Sequence, residues 1–245
     1  MNVYSHELWL EPRDFNYTDN KILEIDIKIG QKFDGARFGF LKKEKKQLFL
    51  ENKNTIKDLE QRDGSFPALQ ITNIKNFFSI INYETNYEYL KYESIEKFLN
   101  FLDEYGLSYI LDDNKLENTP SENYKRFAKT LIFNDEKSFF VQKPKMDLEL
   151  VANNFPKKDE LSNFKLFYKK VPLNNWPIII FSKDTNQTYI KKIETNSNGE
   201  FEINLIEDRI YLISAVKIYK PDIFEKLTLK SDFISLWASL TFKVN

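Results

Sequence analysis

The sequence predicts a mainly β protein built as two β-sandwich domains, the first carrying two inserted helices. Three observations lead there: a two-residue alternation of apolar side chains early in the chain, a change to helical spacing in the middle, and a series of strand-length apolar segments in the last third. With 245 residues, 42% apolar and 30% charged, the chain is long enough for two modest cores.

Leu23, Ile25, Ile27 and Ile29 alternate with Glu24, Asp26 and Lys28 and stop at Gly30, which is the pattern of a strand with one buried face. A polar run over 42–46 leads to Leu48-Phe49-Leu50. Asp63-Gly64 precedes two further strand-like stretches, Ala68 to Ile74 and Phe77 to Tyr83, so the first third reads as a meander. Ile95, Phe98, Leu99, Leu102 and Tyr105 then fall on one helical face, with Ser94 as N-cap and Gly106 beyond the end, which predicts a helix over about 94–105. Thr119-Pro120-Ser121-Glu122 reads as a capping box with proline in the first turn. Tyr124, Phe127, Ala128 and Leu131 follow at the same spacing and predict a second helix over about 120–131.

Pro144, Pro156, Asn153-Asn154 and Lys157 to Glu160 have the composition of a boundary, placed near residue 155, giving domains over 6–155 and 156–245. Beyond it Phe164/Leu166/Tyr168, Ile178 to Phe181, Phe201/Ile203/Leu205, Ile210 to Tyr219 and Leu236 to Val244 read as strands. Asn196-Ser197-Asn198-Gly199 is a hairpin signal, because Asn and Gly tolerate positive φ.

Composition excludes several functions. The 36 basic and 37 acidic residues are interspersed and leave no footprint for nucleic acid or an anionic membrane surface. No cysteine is present, so disulfides, zinc–thiolate sites, iron–sulfur clusters and thiol nucleophiles are ruled out. No apolar run approaches the roughly 20 residues of a membrane span, so membrane insertion of the mature chain is not expected. No Gly-x-Ser-x-Gly or phosphate-cradling loop occurs, and the carboxylate pairs Asp103-Glu104 and Asp112-Asp113 read as solvated surface, so the chain reads as a non-enzyme.

Two features carry functional weight. Val3-Tyr4-Ser5 places an aliphatic and a small residue where a signal peptidase inspects a chain, immediately before His6, which is the sole histidine. That predicts export to the periplasm or cell surface. Tyr83, Tyr87, Tyr89 and Tyr92 cluster before the first helix, and Tyr87, Tyr89 and Tyr92 could form a ridge for a glycan or protein, against the commoner reading of core packing.

Five segments together carry a resemblance: His6-Glu7-Leu8-Trp9-Leu10-Glu11-Pro12, Phe98 to Leu107, Tyr124 to Lys129, Leu148-Glu149-Leu150 and Leu236 to Phe242. They resemble the DUF4198 family, exported bacterial proteins also labelled NikM-like or nickel-uptake-associated. The similarity runs from His6 to Phe242. The segment from Phe164, with Pro172-Leu173, Thr195 to Phe201 and Tyr211 to Ala215, is similar to transthyretin-like or carboxypeptidase-regulatory-like modules, small immunoglobulin-like sandwiches that bind or position partners.

What the family resemblance implies is an exported protein with a histidine at or near its mature N-terminus and a link to transition-metal handling. His6 would then offer imidazole, with its α-amine once exposed, to nickel, copper or zinc, and Glu7 or Glu11 would add oxygen. The partners expected are a metal ion, an extracytoplasmic protein or glycan, or a membrane transport system. The resemblance also implies a second histidine, carried by many relatives just after the strand corresponding to Ser214-Ala215-Val216, where this chain has Lys217. The rival reading is a carbohydrate- or protein-binding module without metal.

Overall fold

A computed structural model describes residues 6–15, 21–72, 78–111, 116–132 and 136–244. In chain order the strands of the first half are β1 (Glu7–Pro12), β2 (Leu23–Gln31), β3 (Asp34–Phe38), β4 (Lys45–Asn52), β5 (Ile56–Asp58), β6 (Leu69–Ile71), β7 (Ser79–Thr85) and β8 (Glu88–Lys91). Helix α1 (Ile95–Glu104) and β9 (Ser121–Ile132) follow. The second half comprises β10 (Leu148–Ala152), β11 (Leu161–Tyr168), β12 (Val171–Pro172), β13 (Pro177–Lys183), β14 (Thr188–Glu194), β15 (Glu200–Asn204), β16 (Ile210–Tyr219), α2 (Ile223–Leu229) and β17 (Phe233–Lys243).

These strands form three sheets. A central sheet runs β14-β13-β16-β17-β9-β7-β4-β5, with β8 paired to the free end of β9. Every pairing in it is antiparallel except β17 with β9, where Phe233 lies opposite Glu122 in a parallel ladder reaching Thr241 and Thr130. One outer sheet holds β1, β2, β3 and β6, and the other holds β10, β11, β12 and β15. The first outer sheet packs Leu10, Ile25 and Leu69 onto Leu48, Ile81 and Ala128. The second packs Leu150, Phe164 and Phe201 onto the opposite face, against Phe127, Ile180 and Leu240. α1 covers the part of the central sheet that the first outer sheet leaves bare, burying Phe98 and Leu102 against Phe233 and Trp237. The mainly β, sandwich-like architecture is as the sequence predicts.

Helix α1 matches its expected span. Ser94 Oγ accepts from the Lys97 amide, and Gly106 has φ +68, a conformation that favours glycine. The helix expected over 120–131 is instead the strand β9. All twelve of its residues are buried, so both faces are packed and no two-residue period survives to distinguish strand from helix. Tyr124 and Ala128 face one way, Phe127 and Leu131 the other. Ser121, expected in the first turn of that helix, meets Asp232 through its amide and hydroxyl at 2.8 and 2.7 Å.

The boundary expected near residue 155 falls in the turn between β10 and β11, whose register runs from Leu148–Tyr168 to Ala152–Phe164. β10 therefore pairs with the second half, and its proline- and asparagine-rich successor is a hairpin loop. The turn at 196–199 forms, with the Gly199 amide donating to the Asn196 carbonyl at 2.9 Å. It does not close a hairpin, because β14 belongs to the central sheet and β15 to an outer one. Part of the stretches expected over 68–74 and 77–83, and Val3-Tyr4-Ser5 and Asp112-Asp113, lie outside the described residues.

Candidate functional site

Strand β1 is laid across the central sheet at two points that fix where His6 sits. Ser239 Oγ donates to the Leu8 carbonyl at 2.7 Å, and Arg126 Nε donates to the His6 carbonyl at 3.2 Å. Alternation sends Leu8 and Leu10 into one core and Trp9 into another. Trp9 lies over the β2–β3 hairpin so closely that a Cβ on Gly35 would come within 2.6 Å of Trp9 Cη2, which explains glycine there.

His6 opens a cleft of about 230 Å³ between the start of β1 and α1. Its other lining residues are Gln31, Tyr92, Lys97, Asn100, Phe101, Glu104 and Tyr105. The aromatic wall is braced from behind: Tyr92 meets Phe98 edge-on at 5.0 Å, and Phe101 stacks on Trp237 at 5.4 Å. Burial, then the Arg126 guanidinium, hold the His6 imidazole below its ordinary pKa.

Behind the cleft lies a buried polar cluster. Tyr105 Oη donates to Glu7 Oε1 at 2.5 Å, while Glu7 Oε2 is buried without a hydrogen bond. Burial pushes the Glu7 carboxyl up to about 7, with the Tyr105 hydrogen bond opposing. Burial, with Glu7 as neighbour, drives the Tyr105 hydroxyl well above its ordinary range. Arg126, 2% exposed, stacks over Tyr124 at 4.5 Å and reaches Glu88 at 3.5 Å, leaving Nη2 buried without a hydrogen bond.

The structure joins only some of the residues the sequence singled out. His6 and Tyr92 share the cleft. Glu7 is turned inward against Tyr105. Glu11 accepts from Lys28 Nζ at 2.6 Å and Trp9 Nε1 at 2.8 Å, and five residues of extended strand at about 3.3 Å each put it roughly 16 Å from His6. Glu11 therefore cannot share an ion with His6. Among the described residues, no three His, Asp or Glu side chains are grouped to hold a metal ion. Of the tyrosines, Tyr83 and Tyr92 are buried while Tyr87 and Tyr89 are exposed, so no single ridge forms. Lys217 lies over Trp176 at 4.4 Å and over Tyr168 of β11 at 4.8 Å, on the face away from α1. Sequence reading missed Gln31, Asn100, Glu104, Tyr105 and Arg126. Glu104 read as solvated surface, and Arg126 was hidden by the helix assignment of its segment.

Fold and site together define a β-sandwich protein with one small polar-aromatic cleft at its first strand. The chain belongs to the DUF4198 family, a domain of unknown function whose family model matches residues 3–218. No curated protein matches it. Among solved structures, a tetra-tandem repeat from the extending region of a large adhesion protein is similar at 8% identity, with a TM-score of 0.22, covering 98% of this chain and 50% of that one.

Proposed function

We propose that this chain is an exported, non-enzymatic binding protein whose cargo, a divalent transition-metal cation, docks on the His6 imidazole at the mouth of the cleft. The observation that carries this reading is the place of the sole histidine, on the lining of the cleft beside α1. Burial and Arg126 lower its pKa, which favours the neutral imidazole that nickel, copper or zinc binds. Glu104 lines the same cleft and would add a carboxylate oxygen, the role first given to Glu7 or Glu11. The α-amine of His6 adds a second nitrogen if export processing leaves His6 first. The nickel-uptake resemblance points the same way.

Calorimetric titration of nickel, copper and zinc into protein beginning at His6 tests this. Binding tighter than millimolar, abolished in His6→Ala and weakened in Glu104→Gln, is expected. No heat at millimolar metal, or an isotherm unchanged in His6→Ala, would sink it. A second reading rests on Tyr92 and Phe101 lining the cleft together with the amides of Gln31 and Asn100, an aromatic-and-amide combination that suits a small glycan. It predicts sugar-dependent shifts in the NMR signals of those amides, with metals silent.

A further inference from the structure

β16 and β17 are antiparallel neighbours, with Tyr219 opposite Ile234. A connection of two to five residues closes such a pair. The chain instead makes an excursion over residues 220–232 that contains α2. On this excursion Ile223 is 78% exposed, Phe224 80% and Leu227 69%. Spaced by one and four positions, the three share one side of the helix, and no residue of α2 is buried.

The knob is held firmly with this side outward. Asp222 and Glu225 close a capping box, and Lys230 ends the helix with φ 55. Tyr219 Oη donates to Glu225 Oε1 at 3.0 Å, and Asn123 Nδ2 donates to the Leu229 carbonyl at 2.7 Å. Tyr89, 57% exposed, lies opposite Asn123 in the ladder and adds an amphipathic ring beside the knob.

The charges of the excursion are sorted. Asp222 caps the helix, Glu225 accepts from Tyr219 and from the Asp222 amide, and Asp232 accepts from Ser121. Lys226 and Lys230 are exposed and make no ion pair among the described residues. The excursion is balanced, three lysines against three acids, but its charges are sided. Glu225 is turned onto Tyr219 and Asp232 onto Ser121, while Lys226 and Lys230 are exposed with the apolar side chains. A balanced overall charge conceals this local arrangement.

We infer that α2 is a peripheral membrane contact: Ile223, Phe224 and Leu227 enter the interfacial layer of an anionic phospholipid leaflet, and Lys226 and Lys230 reach its phosphates. Lysine stems can lie along apolar surface and lift their ammonium groups to the headgroups, and a tyrosine such as Tyr89 suits the same level. The knob is convex, and neither the His6 cleft nor the neighbouring cleft at Pro177 and Ile193 includes a residue of α2. A protein partner would need a matching groove, whereas a bilayer deforms around a knob. No helix among the described residues is long and apolar enough to cross a membrane, so the contact is superficial.

Flotation of the full chain with vesicles of phosphatidylcholine alone, and of phosphatidylcholine mixed with phosphatidylglycerol, tests the inference. The chain should float with the mixed vesicles, at least about tenfold less in Ile223→Ser/Phe224→Ser/Leu227→Ser, and less in Lys226→Gln/Lys230→Gln. Because the three apolar side chains are exposed, circular dichroism of the serine variant should match the parent. Phe224→Trp should shift its emission to the blue on mixed vesicles, reporting that position directly. No flotation, or equal flotation of parent and serine variant, overturns the inference. So does a dimer in sedimentation that the serine variant abolishes without any vesicle binding, which would make a second copy of the chain the occupant.

Discussion

Strand β9 buries Lys125 and Lys129 on one face and Arg126 on the other, and the faces are finished differently: Lys125 is paired with Glu84 and Lys129 lies in a network. Toward the second outer sheet, Lys129 Nζ donates to Gln142, to Glu149 Oε1 at 3.1 Å and to the Leu150 carbonyl at 2.7 Å. Gln142 Nε2 passes the network on to Glu51 at 2.6 Å and Asn82 at 3.0 Å, and Glu149 Oε2 accepts from the Lys145 and Met146 amides. Toward α1, Arg126 and the neighbouring Glu7 each keep one buried polar atom without a hydrogen bond. A saturated buried network fixes a fold; one with open positions retains capacity for a proton, a water or a ligand. The contrast separates a structural cluster from a candidate functional one using charges on the same strand.

The largest effect is expected on the saturated side. Glu149→Ala removes the carboxylate facing Lys129, an ammonium whose pKa burial already lowers, and strips two backbone amides of their acceptor. Leaving a buried charge unpaired costs about 3–5 kcal/mol. Guanidinium denaturation should show a loss of that size, and a loss below about 1 kcal/mol would erase the distinction between the two faces.

On the open side the expected effect is smaller and depends on pH. The Glu7 carboxyl rises from 4.5 to about 7 in the folded state, so the folded chain binds more protons than the unfolded one between those values. Stability therefore falls as pH rises through that window and levels off above it, by about 3 kcal/mol in all. Glu7→Gln keeps an acceptor for the Tyr105 hydroxyl but cannot ionise. It should match the parent near pH 4 and exceed it at pH 8, with urea midpoints at several pH values as the readout. A parent whose stability does not fall over this range would mean that a partner for Glu7 Oε2 already compensates the charge.

How much of this was legible in the sequence depended on how many faces each element buries. β2 shows one face to solvent-side neighbours and one to the core, so Leu23 to Ile29 announced it, and α1 announced itself through one stripe and two caps. β9 buries both faces, and its Lys125, Arg126 and Lys129, which the expected helix would have turned away from its apolar stripe, are each at most 2% exposed. The same error hid the site: Arg126 fixes His6, yet it stood inside a segment given the wrong period. Histidine could be found by counting, since only one exists. Gln31, Asn100 and Glu104 join it through the packing of β2 and α1 around β1, a long-range arrangement with no local pattern to betray it.

The smallest expected effect bears on where the open cluster ends. Glu11 is bound by Lys28 in an ion pair at 2.6 Å whose side chains remain 22% and 16% exposed. Partly solvated pairs of this kind contribute under about 1 kcal/mol, and in Glu11→Gln the amide oxygen still accepts from Trp9 Nε1. The substitution should therefore shift the denaturation midpoint only slightly and leave nickel affinity unchanged while His6→Ala abolishes it. The reason is reach: about five residues of extended strand separate the two side chains, more than any single ion can bridge. Were Glu11→Gln to weaken metal binding as strongly as His6→Ala, β1 would have to bend away from Arg126 and Ser239 to bring both residues to one ion, and the cleft beside α1 would lose its place as the site.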